Sequence, residues 1–206
     1  MSRRSVSLCV VVTLYSLTAC RSSPLFRSTA QEDAFRQQYI GTPFYTGIVL
    51  RPYDTGDTYL IDLTGVLYET AFETVRAALT VPLGTRIRLT GIQGERLVAQ
   101  IEGYSRPFDI LVRTRGGTFA EMAEELEQML SDTPPLQSVR PAMRPLVARQ
   151  ALARGMSRRE VYMSWGQPDR VNSSPGSTGF LEEWIYFNRQ MHLFLKDGFV
   201  TNWERF

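Results

Sequence analysis

Apolar and polar positions alternate with two different periods along this chain. From residue 44 to 114 the apolar residues come in short runs with period-two alternation and glycine punctuation, the pattern of half-buried strands. Residues 44–51 and 58–64 read as a pair joined across Asp54-Thr55-Gly56-Asp57. Ile87 and Leu89 then alternate with Arg86, Arg88 and Thr90, Gly91-Ile92-Gln93-Gly94 turns the chain into 95–102, and Phe108, Ile110 and Val112 share one face of a last strand. Five short strands predict a small barrel. Within this stretch Phe72, Val75 and Leu79 fit one face of a helix over 69–79, flanked by strand-like residues. At residue 118 the period lengthens: Phe119, Met122, Ala123, Leu126, Met129 and Leu130 recur at helical spacing. Thr118 and Glu121 make a capping box, which satisfies two amides that the first helical turn leaves without acceptors. Pro134 and Pro135 end that pattern.

Residues 141–206 carry a second pattern. A helix over 146–154 presents Leu146, Val147, Ala151 and Leu152 and stops at Gly155. Another starts with a capping box of Ser157 and Glu160, has Met156 and Val161 at the spacing of a hydrophobic staple, and closes at Gly166 and Pro168 after Trp165. Strands follow over 181–188, 191–195 and 199–203, the last two joined by Lys196-Asp197-Gly198. Asp-Gly between alternating apolar runs is a strong hairpin signal. The expected product is two helices packed on a three-stranded antiparallel meander, so the chain as a whole is expected to be α+β.

Ahead of both patterns, Arg3 and Arg4 precede an apolar run over 6–19 that ends in small residues, the layout of a secretory signal peptide. The run is too short to cross a bilayer, which takes about 20 apolar residues. It closes on Leu17-Thr18-Ala19-Cys20, which resembles the lipobox of bacterial lipoproteins, where the peptide is cut before the cysteine and the sulfur carries diacylglycerol. The resemblance implies a lipoprotein signal peptide over 1–19 and a lipid on Cys20. Arg21, standing where an Asp would retain such a protein elsewhere, implies the outer membrane. An ordinary signal peptide cut near Ala19 or Ala30, or an uncleaved anchor, fits the same hydropathy. Residues 20–43 are polar, contain Pro24, Gly41 and Pro43, and read as a tether with a turn or two of helix over 31–39. A β-rich domain with its carboxy-terminal helix is then expected over 44–131, a linker over 132–140 and a second domain over 141–206.

The 206 residues hold 23 Lys plus Arg against 21 Asp plus Glu, and Arg3 and Arg4 leave with the signal. The remaining chain is formally neutral, which removes the compositional case for nucleic acid. Of the two cysteines, Cys9 would leave with the signal and Cys20 would be blocked as a thioether, so no disulfide is expected. Lys196 is the single lysine. Such arginine bias suits bidentate anion contacts, although genome base composition accounts for it more simply.

GMSRREVYMSWGQPDRV, EEWIYF and LFLKDGFVTNW, all within 145–206, resemble the signature of the SmpA/OmlA family, also called BamE-like. In that signature Gly-Met-Ser/Thr, a Gly-x-Pro turn, a Trp-x-Tyr strand and a final Gly-x-Val hairpin recur. Family members are outer-membrane lipoproteins, and the namesake is an accessory subunit of the machine that folds β-barrel proteins into that membrane. The resemblance implies a non-enzymatic, periplasm-facing lipoprotein that acts as a protein-protein interaction or scaffold component of the cell envelope, with outer-membrane assembly within its scope. Its partners would be the membrane, through the lipid, and envelope proteins, with neither nucleic acid nor an identified small-molecule substrate. This chain departs from the namesake in placing a β-rich domain between anchor and module. The shared residues are also mostly structural, so they specify a fold rather than a partner.

Candidate chemistry is sparse. His192 is the sole histidine and reads as an ordinary sheet residue beside Phe194. Asp54, Asp57 and Asp62 match no known calcium cage and read as turn and strand residues. No Gly-rich phosphate loop, HExxH or GxSxG occurs, so no enzyme, cofactor or metal is expected. One charge feature stands out: between 118 and 139 the charges are Glu121, Glu124, Glu125, Glu127 and Asp132, whereas between 140 and 159 they are Arg140, Arg144, Arg149, Arg154, Arg158 and Arg159. Two accounts fit. The blocks neutralise each other across the linker, each exposed pair contributing ~0–1 kcal/mol, or the arginines meet anionic headgroups or an acidic partner. The arginines, with Trp184, Tyr186 and Trp203, are therefore the candidate partner-binding residues. The three aromatic residues also define an alternative, a periplasmic ligand-binding or inhibitor-type lipoprotein that docks through an aromatic sheet face.

Overall fold

The computed structural model describes residues 29–64, 77–94, 96–112, 114, 117–176 and 179–206. The expected signal segment, Cys20 and most of the helix expected over 69–79 lie outside them. The fold is α+β, with four helices and two sheets among the described residues.

Alternation over 86–112 becomes the centre of the first sheet. Its strands are β1 (Pro43–Thr46), β2 (Tyr53–Asp54), β3 (Tyr59–Asp62), β4 (Arg86–Gln93), β5 (Arg96–Ile101), β6 (Phe108–Leu111) and β7 (Leu130–Ser131), in the order β2-β3-β6-β5-β4-β1-β7. Ile87, Leu89, Leu97, Ala99, Phe108 and Ile110 are buried on one face. Helix α2 (Phe119–Met129, the next after α1 at Thr29–Tyr39) contributes Phe119, Met122, Leu126 and Met129 to the same core, and its Thr118–Glu121 capping box is formed. The expected five-stranded barrel is corrected: β2 and β7 end the sheet without pairing to each other, and β3 runs parallel to β6.

The strand expected over 44–51 is split. After Thr46 the chain leaves the ladder, because Gly47 N–H donates to Met129 O and a Cβ there would meet Leu130 O at 3.0 Å. Leu50 then makes only a bridge to Val81, and the turn at Asp54-Thr55-Gly56-Asp57 joins β2 to β3 instead.

Within the tether expected over 20–43, the turn or two of helix expected over 31–39 is a longer helix, and it is packed rather than free. Helix α1 (Thr29–Tyr39) packs on the first core through Phe35 and Tyr39, whose rings sit 5.3 Å from Phe119 and 5.9 Å from Phe44 respectively. Two apolar residues four apart in a polar stretch suffice for one helix face when a core lies beside it.

The second sheet has four strands rather than three: β8 (Arg170–Gly176), β9 (Gly179–Tyr186), β10 (Met191–Lys196) and β11 (Phe199–Arg205), ordered β11-β10-β9-β8. β8 escapes sequence reading because it is exposed along almost its whole length and so carries no apolar alternation. Asp197 and Gly198, with φ of 52° and 82°, turn β10 into β11 as a two-residue hairpin requires.

Helix α4 (Arg158–Trp165) has the expected Ser157–Glu160 capping box. Helix α3 (Arg144–Ala148) ends six residues before the expected Arg154. Gln150 takes the left-handed conformation at φ 53°, and the freed carbonyls of Gln150 and Ala151 accept from Trp165 Nε1 and Ser164 Oγ. Val147, Met156, Val161, Trp184, Tyr186 and Leu193 are among the residues of a second core. The expected linker over 132–140 is packed at Pro135 and Val139. Tyr162 touches both cores. No helix among the described residues is long and apolar enough to cross a membrane, which says nothing about spanning strands.

Candidate docking site

The six arginines do not form one open stripe. Arg140 and Arg158 each cover a buried carboxylate. Arg140 donates from Nε to Glu160 Oε1 at 2.8 Å and from Nη2 to Glu160 Oε2, and Arg158 donates from Nε and Nη2 to both oxygens of Glu182. Those carboxylates raise both guanidinium pKa values. Arg144 Nε and Nη2 donate to the carbonyls of Val139 and Gln137, Arg149 Nε to Pro145 O, and Arg154 Nη2 to Asn202 Oδ1. Arg159 reaches α2, but on the Gln128 carbonyl at 2.7 Å, and burial pushes its guanidinium down. Mutual neutralisation of the acidic helix and the arginines is thus not the arrangement found. The arginines serve carbonyls, on α2 in the case of Arg159, and the carboxylates Glu160 and Glu182.

The aromatic docking face is corrected too. Trp184 and Tyr186 are fully buried between the sheet and α4 because β9 turns every second side chain toward the helix. Trp184 stacks on Tyr162 at 4.8 Å, and Tyr186 meets Trp165 edge-on at 5.2 Å. Trp184 Nε1 donates to Glu182 Oε2 and Tyr186 Oη to Gly166 O, and burial raises the Tyr186 phenol well above its ordinary value. Neither ring is available to a ligand. Trp203 alone of the three stays half-exposed.

Trp203 lines a groove of about 380 Å³ bordered by Leu152, Trp165, Arg189, Met191 and Arg205. The pairing of Leu193 with Trp203 and of Met191 with Arg205 puts these side chains on the helix-side face of the sheet. Arg189 lies 4.5 Å over the Trp165 ring, and burial, with the nearby Arg51 charge, lowers its pKa. Neither Arg189 nor Arg205 has an acidic partner among the described residues. Sequence reading missed Arg189, Arg205, Trp165 and Met191. The available signal was the two-residue spacing of Trp203 and Arg205, which puts both on one strand face. Arg189 is brought in only by the short 3-10 turn at Phe187–Arg189.

Elsewhere polar groups hold loops. Arg106 donates to both oxygens of Asp54, which also accepts from Gly56 N–H, and Arg106 above all pulls the Asp54 carboxyl down to about 2. Asp62 accepts from Thr64 N–H. His192 Nδ1 lies 2.5 Å from Glu183 Oε1 on the sheet's outer face. No group of three metal-ligating side chains occurs among the described residues. Comparison with known proteins finds no matching family model, curated protein or solved structure.

Proposed function

We propose that this chain is a non-enzymatic lipoprotein of the outer membrane, facing the periplasm, which works as an interaction or scaffold component of the cell envelope. The observation that carries this reading is Leu17-Thr18-Ala19-Cys20 closing a short apolar run behind Arg3 and Arg4. Each buried methylene of an acyl chain contributes ~0.8 kcal/mol, so two or more chains on Cys20 hold the protein on the bilayer in a lasting way. The BamE-like resemblance over 145–206 points to the same compartment. Its residues occupy roles such a module needs: Gly166 stops a helix, Trp184 and Tyr186 pack beneath it, and Asp197-Gly198 makes the last hairpin. β8 is added to the expected meander, and the seven-stranded sheet is formed by residues that precede 145–206 in the chain.

The test is metabolic labelling with a palmitate analogue, in cells producing the wild-type chain or Cys20→Ser. The reading expects label in the former and none in the latter, together with outer-membrane fractionation of the wild type. Equal labelling of both chains, or of neither, overturns it.

A further inference from the structure

The edge of the second sheet is covered along only part of β11. Gly155 N–H donates to Val200 O and Val200 N–H to Met156 O, each at 2.8 Å, Arg158 N–H donates to Gly198 O, and Ser157 bridges Phe199. Beyond Val200 this cover stops. Phe206 N–H donates to Gln190 O, toward β10, so the two-residue period of an antiparallel ladder turns Glu204 inward and Trp203 and Arg205 outward. The outward N–H and C=O groups of Trp203 and Arg205 find no partner among the described residues. Unpaired edge groups are a template for another strand. The opposite edge, β8, is broken by Pro175, which has no N–H to give.

The same two residues wall the groove, so backbone and side-chain recognition coincide. Trp165, Trp203, Met191 and Leu152 supply apolar walls, and Arg189 and Arg205 bring two cations without acidic partners among the described residues. We propose that the Trp203–Arg205 stretch is a docking edge for an extended segment of a partner protein. The segment adds to β11 as a strand and points an apolar side chain and a carboxylate, two residues apart, into the groove. The spacing follows from the period of a strand, in which residues i and i+2 share a face. Main-chain bonds give such pairing its affinity and alternate side chains its specificity. The proposal rests on reading the chain as a docking protein, and not on its anchor or compartment.

The experiment is fluorescence anisotropy with the full chain in detergent and a labelled peptide, Ser-Thr-Phe-Thr-Glu-Thr-Ser-Gly. Saturable binding is expected. It should weaken about tenfold or more, the loss typical of an anchoring contact, when the peptide Glu becomes Gln, when its Phe becomes Ala, or when its backbone amides are N-methylated. Arg205→Gln and Arg189→Gln should each weaken it comparably, with Arg96→Gln on the first sheet without effect. Circular dichroism checks that each variant is folded. Should Arg189→Gln unfold, the exposed Arg205→Gln carries that arm. No binding at ~1 mM peptide overturns the proposal, as does equal binding of the N-methylated peptide. So does Arg205-dependent binding of phosphatidylglycerol vesicles in place of peptide, which would make the groove a lipid site, or Arg205-dependent self-association, which would give the edge to a second copy. Because the assay uses purified protein, its failure is distinguishable from failure of the palmitate labelling.

Discussion

Glu160 is a carboxylate 5 % exposed at its side chain, with two sets of donors around it. Burial pushes its pKa up, but bonds from Arg140 and from the backbone and hydroxyl of Ser157 outweigh that and hold it below the ordinary value near 4.5. Glu183, bonded by Asn172 and His192, and Asp54, bonded by Arg106, are depressed in the same direction. A carboxyl whose folded pKa is depressed adds stability that is present above its unfolded pKa and is lost as pH falls through the folded one. The urea midpoint should therefore hold between neutral pH and ~5 and decline below ~4.5. Glu160→Gln should lose about 1–2 kcal/mol at pH 7, since Arg140 is half-exposed and solvent screens its charge. The variant should also show a shallower acid decline than wild type. Parallel acid limbs would exclude Glu160 as a contributor. The Ser157–Glu160 half of this site was legible as a local spacing. Arg140, 20 residues upstream, was not, because only the tertiary fold brings it over the carboxylate.

Among the elements, α4, like α2, has both ends written in sequence, and its stop has a second role that sequence does not display. Gly166 has φ 79° and ψ −172°, a region open essentially to glycine, and a Cβ on it would lie 2.5 Å from Val49 O in the other half of the chain. The helix end therefore also sets how closely the two halves approach, next to the Val49 N–H to Tyr162 O bond. Gly166→Ala should cost about 3 kcal/mol, backbone strain and overlap together. Equilibrium urea denaturation measures this, and a loss below ~1 kcal/mol would mean the contact is loose. The elements that sequence hid share one physical cause. β8 is exposed and has no apolar period, the packing of α1, expected only as a turn or two of helix over 31–39, rests on Phe35 and Tyr39, and β1 is cut short at Gly47 by the Met129 and Leu130 carbonyls rather than by any local turn signal. Each depends on a neighbour that only the assembled fold supplies.

At the scale of the whole molecule, two cores that each satisfy a sheet are joined by a polar contact no spacing announces. Arg51, in the first half, donates from Nη2 to Asp169 Oδ1 at 2.9 Å and to Gln167 O, and lies 5.3 Å from the Tyr186 ring centre. The two side chains are 8 % and 2 % exposed. Asp169 also accepts from Phe187 N–H, so the same carboxylate anchors the end of β9. Removing the cation leaves a buried carboxylate with one amide donor, a situation that costs about 3–5 kcal/mol. Arg51→Met should lose that much. Asp169→Asn should lose less, since its amide oxygen still accepts from Phe187, although its amide nitrogen then faces Arg51. If the ion pair couples the two cores, the double variant should be more stable than the sum of the single losses by at least ~1 kcal/mol. Denaturation followed by near-ultraviolet circular dichroism, which reports on the packed Trp184 and Tyr186, and by far-ultraviolet signal, which reports on both sheets, tests this. Wild type should give coincident transitions and Arg51→Met separated ones, the second core melting first. Additive losses with coincident transitions in every variant would mean that Tyr162, shared by both cores, holds the halves together without the ion pair.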